Sequence, residues 1–225
     1  MIAILDYRAG NLESVRSALA HVGAEPVVTD DPSVIARADR LVFPGVGSAA
    51  HCMRNIRERG FDRVLADALR AGRPTLAICI GQQLLFDRSD EDGGVAALGL
   101  LPGRVKRFVP LADDPSCKIP HMGWNRVQYL RPHPLLPSDR DGGDFYFVHS
   151  YFASPAWAGD PVEHEPEDET REPGVVYGAT EYAGIAFASM VGKGPFFAAQ
   201  FHPEKSAGDG LGILERFAGW DGSPC

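Results

Sequence analysis

Pro74-Thr75-Leu76-Ala77-Ile78-Cys79-Ile80-Gly81-Gln82-Gln83 is the stretch on which the reading of this chain turns. The proline opens a short, unbroken apolar run. Such a run fits a strand of a parallel sheet that is covered on both faces, where no polar alternation is needed. The run ends in a cysteine, a glycine follows two residues later, and Gln82–Phe86 reads as the start of a helix. Upstream, the same grammar repeats. Ile2–Leu5, Pro26–Thr29 and Leu41–Phe43 read as strands. Leu12, Val15, Leu19 and Val22 recur at helical spacing before Gly23, and Asp31-Pro32-Ser33 reads as a helix start. Phe61, Val64, Leu65, Ala68 and Leu69 mark another helix that runs to Gly72. Strands alternating with amphipathic helices imply an α/β fold, an open, mostly parallel sheet with helices on both faces. Downstream the pattern changes. Arg104–Phe108, Arg126–Leu130, Phe145–Phe152, Val175–Thr180, Ile185–Met190 and Phe196–Gln200 read as strands. The Gly192-Lys193-Gly194-Pro195 turn joins the last two as an antiparallel hairpin, so the second half is expected to extend the sheet in antiparallel fashion. A final helix is expected over Gly210–Ala218, and 155–173, rich in Pro, Glu and Asp, as a solvated loop.

The 225 residues carry 22 Lys+Arg and 30 Asp+Glu, a formal charge of −8, with 44% hydrophobic residues. That length fits a single domain over 1–225. An acidic chain without basic runs is a poor nucleic-acid or anionic-membrane binder, because either role needs cations to neutralise phosphates. No stretch has the length of a membrane span. Met1-Ile2-Ala3-Ile4-Leu5-Asp6 has no basic leader pattern and reads as a strand, which points to the cytoplasm. The four cysteines, at 52, 79, 117 and 225, form neither a CxxC pair nor a disulfide framework.

Sites in open parallel sheets lie at the carboxyl ends of the strands. Ala77-Ile78-Cys79-Ile80-Gly81 has the form small-x-nucleophile-x-Gly, a sharp strand-to-helix elbow. The helix N-terminus favours thiolate over thiol. Alone, so short a string reads sooner as an inert strand-end thiol. The second motif, Gln200-Phe201-His202-Pro203-Glu204, supplies what a thiol nucleophile needs, an imidazole base and a carboxylate to orient it. A third, Pro44-Gly45-Val46-Gly47, can bring backbone N–H groups close to a substrate and pair with the N–H of Ile80 as an oxyanion hole.

With these motifs in place, the chain resembles the class I (triad) glutamine amidotransferases. Asp6-Tyr7-Arg8-Ala9-Gly10-Asn11, Pro120-His121-Met122-Gly123-Trp124-Asn125 and Tyr146-Phe147-Val148-His149-Ser150-Tyr151 narrow the resemblance to the glutaminase subunits of imidazole glycerol phosphate synthase. The resemblance implies hydrolysis of L-glutamine to glutamate and ammonia without metal or organic cofactor. The ammonia would pass to a (β/α)8 cyclase subunit in histidine biosynthesis. It implies Cys79 as nucleophile, His202 as acid/base and Glu204 as its orienter, with Val46, Gly47 and Ile80 at the oxyanion hole. Gln83 and the backbone of His149, Ser150 and Tyr151 would hold glutamine's α-amino and carboxylate groups. Tyr7, Asn11, Met122, Trp124, Tyr146 and Lys205 would face the cyclase.

This chain departs from that pattern at Arg8 and Ala77, where the family usually has Gly, and at Gln82, where it usually has Met. It departs also in 48–52 and in an apparent insertion at 155–173. The catalytic pieces alone would also fit the glutaminase subunits of other synthases, or a solitary thiol hydrolase of γ-glutamyl peptides.

Overall fold

The computed structural model describes residues 1–109, 118–155 and 174–223. A nine-stranded mixed sheet forms its centre. The elements in chain order are β1 (Ile2–Leu5), α1 (Leu12–His21), β2 (Pro26–Thr29), α2 (Pro32–Arg37), β3 (Arg40–Gly45), α3 (Ala49–Glu58), α4 (Phe61–Arg70), β4 (Thr75–Cys79) and α5 (Ile80–Leu84). Then come the short β5 (Arg88–Ser89), a 3-10 turn at Glu91–Gly93, β6 (Val95–Ala96), β7 (Gly103–Arg107), β8 (His121–Tyr129), β9 (Gly142–His149) and β10 (Tyr151–Pro155). β11 (Val175–Tyr182), β12 (Ile185–Lys193), β13 (Phe196–Ala199), a 3-10 turn at Pro203–Lys205 and α6 (Ala207–Gly219) complete it.

The large sheet runs β2-β1-β3-β4-β13-β12-β11-β8-β9. Its first five strands are parallel; from β13 to β9 every neighbouring pair is antiparallel. The expected parallel half with an antiparallel extension is what forms. A smaller sheet, β10-β7-β5-β6, lies beside it. Alternate residues of the parallel strands enter two separate apolar clusters. Ala3, Leu5, Phe43 and Ala77 pack with α2, α3 and α4, and Ile2, Ile4, Val42 and Leu76 pack with α1 and α6. Burial on both faces explains why these strands read as unbroken apolar runs.

Several boundaries differ from the sequence reading. No helix was expected at 49–58, yet α3 buries Ala49, Cys52, Met53 and Ile56 at helical spacing. The helix after Cys79 starts at once and is only five residues long, Ile80–Leu84, all buried. A helix with no polar face gives periodicity nothing to mark its end. The expected strand at 145–152 is two strands, β9 and β10, which part at Ser150 into different sheets. β8 begins at His121 rather than Arg126, because its apolar Met122 and Trp124 point to solvent and invert the usual alternation. Of the loop expected at 155–173, Pro155 closes β10 and the rest lies outside the described residues.

Candidate active site

The site grows from the register of three parallel strands. In the β3/β4 pair, Gly45 stands opposite Cys79, so the Val46-Gly47 segment leaves the sheet beside the sulfur. On the other side Ala199 of β13 stands opposite Ile78, and the chain continues through Gln200 and Phe201 to His202. Cys79 has φ +55 and ψ −112, a left-handed backbone for a non-glycine residue. Such strain persists only where packing enforces it. Gly81 shows the enforcement. A Cβ there would lie 2.1 Å from the Phe43 carbonyl oxygen, so only glycine lets α5 start so close to β3. Gly45 is crowded by side chains instead, since its Cβ would meet Ile80 Cγ2 at 2.0 Å and the Tyr7 hydroxyl at 2.2 Å.

His202 is pinned on every side but one. Its Nδ1 bonds Glu204 Oε1 at 2.8 Å, and both side chains are buried. Its backbone N–H donates to the Tyr146 carbonyl (2.9 Å), and its own carbonyl accepts from the Ser206 hydroxyl (2.6 Å). Its Nε2 is buried without a conventional hydrogen bond, and Glu204 Oε2 has no partner either. Burial works to lower the His202 pKa. The Cys79 sulfur and the Glu204 carboxylate act more strongly the other way, and the net shift is upward. The imidazole therefore holds a proton readily when the sulfur beside it is negative.

These groups open on a cavity of about 340 Å³. It is lined by Cys79, His202, Val46, Gly47, Ile80, Gln83, His149, Ser150 and Tyr151; Glu204 stands behind His202. Gly47 has φ +113, and Val46 is 42% exposed, its carbonyl accepting from the Cys52 thiol at 3.7 Å. Burial pushes that thiol up to about 11, so it stays a protonated donor. The cavity also includes Glu91, which the sequence reading missed. One Glu91 oxygen caps α3 through Ala49 N (2.8 Å), and burial raises its pKa. A larger, open hollow of about 440 Å³ near Asp209 contains Arg126–Asp141 and Arg140–Asp209 ion pairs and no nucleophile. Among the described residues, no cluster of His, Cys, Asp and Glu could hold a metal ion, and no helix is long and apolar enough to cross a membrane.

Behind the cavity wall runs a directed chain of hydrogen bonds. His149 Nδ1 donates to the Tyr151 carbonyl (2.7 Å). Burial lowers His149 to about 3 and His121 to about 4, so both rings are neutral. His149 Nε2 must then accept from His121 Nδ1 (3.1 Å), and His121 Nε2 from Asn125 Nδ2 (3.3 Å). The same Tyr151 carbonyl accepts from Gln83 Nε2 (2.8 Å), which also donates to Gln200 Oε1 (2.9 Å). Gln83, expected at the substrate, thus spends its amide nitrogen on supporting the cavity's backbone.

The family profile described as glutamine amidotransferase class-I matches residues 3–218. The chain belongs to the class-I glutamine amidotransferases. It is 46% identical to imidazole glycerol phosphate synthase subunit HisH of Dechloromonas aromatica, over 97% of this chain and 96% of that one. It is 45% identical to the HisH subunit of Pseudomonas putida, over 98% of both. Among solved structures, the fold is similar to a glutamine amidotransferase (TM-score 0.68, 16% identity, 97% of this chain and 99% of that one). It is similar also to PurLQS from Thermotoga maritima (TM-score 0.67, 17% identity, 96% of each chain).

On the outside of this amidotransferase, Met122 and Trp124 of β8 are 62% and 56% exposed. The Trp124 ring meets Tyr146 edge-on at 6.4 Å, and Lys205 Nζ lies 5.9 Å from the Tyr146 centroid. Asn11 is exposed at the start of α1. Tyr7 corrects the sequence reading. It is fully buried, donates its hydroxyl to the Pro44 carbonyl (2.6 Å) and packs on Phe43 and Phe61, so it presents no surface to a partner. Its place is under the Gly45-Val46 segment, as a prop.

Proposed function

We propose that this chain is the glutaminase subunit of an imidazole glycerol phosphate synthase. It hydrolyses L-glutamine in the cytoplasm and passes the ammonia to a (β/α)8 cyclase, with residues 1–225 working as one amidotransferase domain. The observation that carries this reading is the left-handed Cys79 elbow opening, with the Glu204-anchored His202, on one cavity. The near full-length similarity to HisH subunits supports the assignment of the synthase. In this reading Cys79 gives its proton to His202 Nε2, and the sulfur attacks the carboxamide carbon. N–H groups of Val46, Gly47 and Ile80 stabilise the oxyanion, each by about 3–4 kcal/mol. His202 protonates the departing ammonia. Water then cleaves the thioester with the same imidazole as base. Backbone at Ser150 and Tyr151 holds the α-carboxylate, and the free oxygen of Glu91 faces the α-ammonium. Met122, Trp124, Tyr146, Lys205 and Asn11 form the cyclase-facing strip, where exposed aromatics and Met are the usual anchors.

The test is turnover of the reconstituted synthase. Cys79→Ala should abolish glutamine-driven turnover and leave turnover with ammonium salts intact. Loss of both would make Cys79 structural. Glutamine hydrolysis that is equally fast with and without cyclase would favour a solitary hydrolase.

A further inference from the structure

Two residues before His202 the chain passes through Gln200, fully buried, and its amide has only one possible orientation. Gln83 must turn its nitrogen to the Tyr151 carbonyl, since only a donor serves there. That nitrogen also faces Gln200, which therefore presents Oε1 at 2.9 Å. Gln200 Nε2 is thereby aimed at the Cys79 sulfur, 3.8 Å away. Nothing in the catalytic reading above uses this contact. A buried, oriented N–H on a sulfur favours the thiolate, because a charged acceptor binds a donor far more strongly than a neutral thiol does.

We propose that Gln200 is a further catalytic residue, its side-chain amide donating to the Cys79 thiolate while His202 takes the proton. The Cys79 S–H bond breaks and its proton goes to His202 Nε2. The electron pair stays on sulfur and accepts the Gln200 N–H. As the S–C bond to the carboxamide forms, charge passes to the carbonyl oxygen and the Gln200 contact weakens. Gln200 thus acts on the thiolate population before attack. A thiolate stabilised tenfold loses only about threefold in intrinsic reactivity, so the net gain is about threefold per tenfold of stabilisation. The Gln83 bridge adds a second effect, because the sulfur's position and the Tyr151 backbone are keyed to one another.

The inference rests on Cys79 being the nucleophile, but its test needs no glutamine. The full chain is alkylated with iodoacetamide from about pH 5 to about pH 10, and the Cys79 peptide is followed by mass spectrometry so that other thiols do not count. In Gln200→Leu the half-maximal pH should rise by about one unit, with alkylation at neutral pH about threefold slower. Gln200→Glu keeps the size and replaces the donor with an acceptor, so it should shift further in the same direction. It also carries the test if the Leu variant does not fold, as thermal unfolding would report. Unmoved profiles in folded variants, or a Glu variant matching the parent, overturn the proposal. A shifted profile with no glutamine hydrolysis even in the reconstituted synthase would sink the proposed function and leave this inference standing; glutaminase activity of the synthase with no shift would do the reverse.

Discussion

Gln82 sits next to Gln83 at the elbow with its side chain fully buried, one long bond from Nε2 to the Ala188 carbonyl (3.5 Å) and no donor for Oε1. An unpartnered buried carbonyl is costly, so Gln82→Met, similar in size, should stabilise the chain by about 1–2 kcal/mol. Urea unfolding would show this as a higher midpoint at unchanged slope; a lower midpoint would mean that the oxygen has a partner. Arg8 resolves differently. Its φ of +61 is the conformation a glycine takes without penalty, so the arginine occupies the same backbone at a small steric cost. The gathering of Cys79, His202 and Glu204 at one cavity was legible in the sequence because thiol, imidazole and carboxylate announce their chemistry by type. Gln200 was not, since a neutral amide at the end of an apolar strand carries no such mark. Glu91 was hidden inside Asp90-Glu91-Asp92, a run that reads as solvated loop until the fold turns it toward the cavity.

The close approach of α5 to β3 is what places the sulfur, and it depends on the missing side chain of Gly81. Gly81→Ala would set a methyl against backbone at 2.1 Å, where no rotamer change can relieve it. The expected cost is about 1–3 kcal/mol of stability, together with loss of glutaminase activity. Thermal unfolding and glutamine hydrolysis on the same preparation would check both, and an active, equally stable variant would show that the elbow adapts. The bounds of β1 and β4 were legible in the sequence because buried parallel strands are short, apolar and flanked by turn residues; those of β2, a half-exposed edge strand, came from its Val-Val-Thr run between Pro26 and the Asp30-Asp31 turn. β8 was read too short, because hydropathy cannot distinguish a strand whose apolar residues face outward from chain that is simply irregular. The split at Ser150 was illegible for another reason. One continuous apolar run serves two sheets, and only tertiary packing decides where it changes partner.

At the scale of the whole molecule, three buried neutral histidines set the acid limit. Burial lowers His121 and His133 to about 4 and His149 to about 3. Below the ordinary histidine range near 6.5 the unfolded chain binds protons that the native chain refuses. Stability therefore falls on acidification between about pH 6.5 and about pH 4, by about 1.4 kcal/mol per pH unit for each such proton. Urea midpoints measured across that range should drop steeply, and His133→Phe, far from the elbow chemistry, should flatten the slope. An unchanged slope would mean that His133 titrates normally in the folded state. The mixed sheet itself was legible from the change of pattern between the two halves, but not its strand order. That order has its own consequence. Among the described residues β13 is the last strand to leave the ribosome, yet it lies mid-sheet between β4 and β12. Cys79 emerges well over a hundred residues ahead of Gln200 and His202, and until they arrive no imidazole stands beside its thiol. A half-made chain holds a solitary sulfur, and the same late insertion that completes the sheet gives it both neighbours.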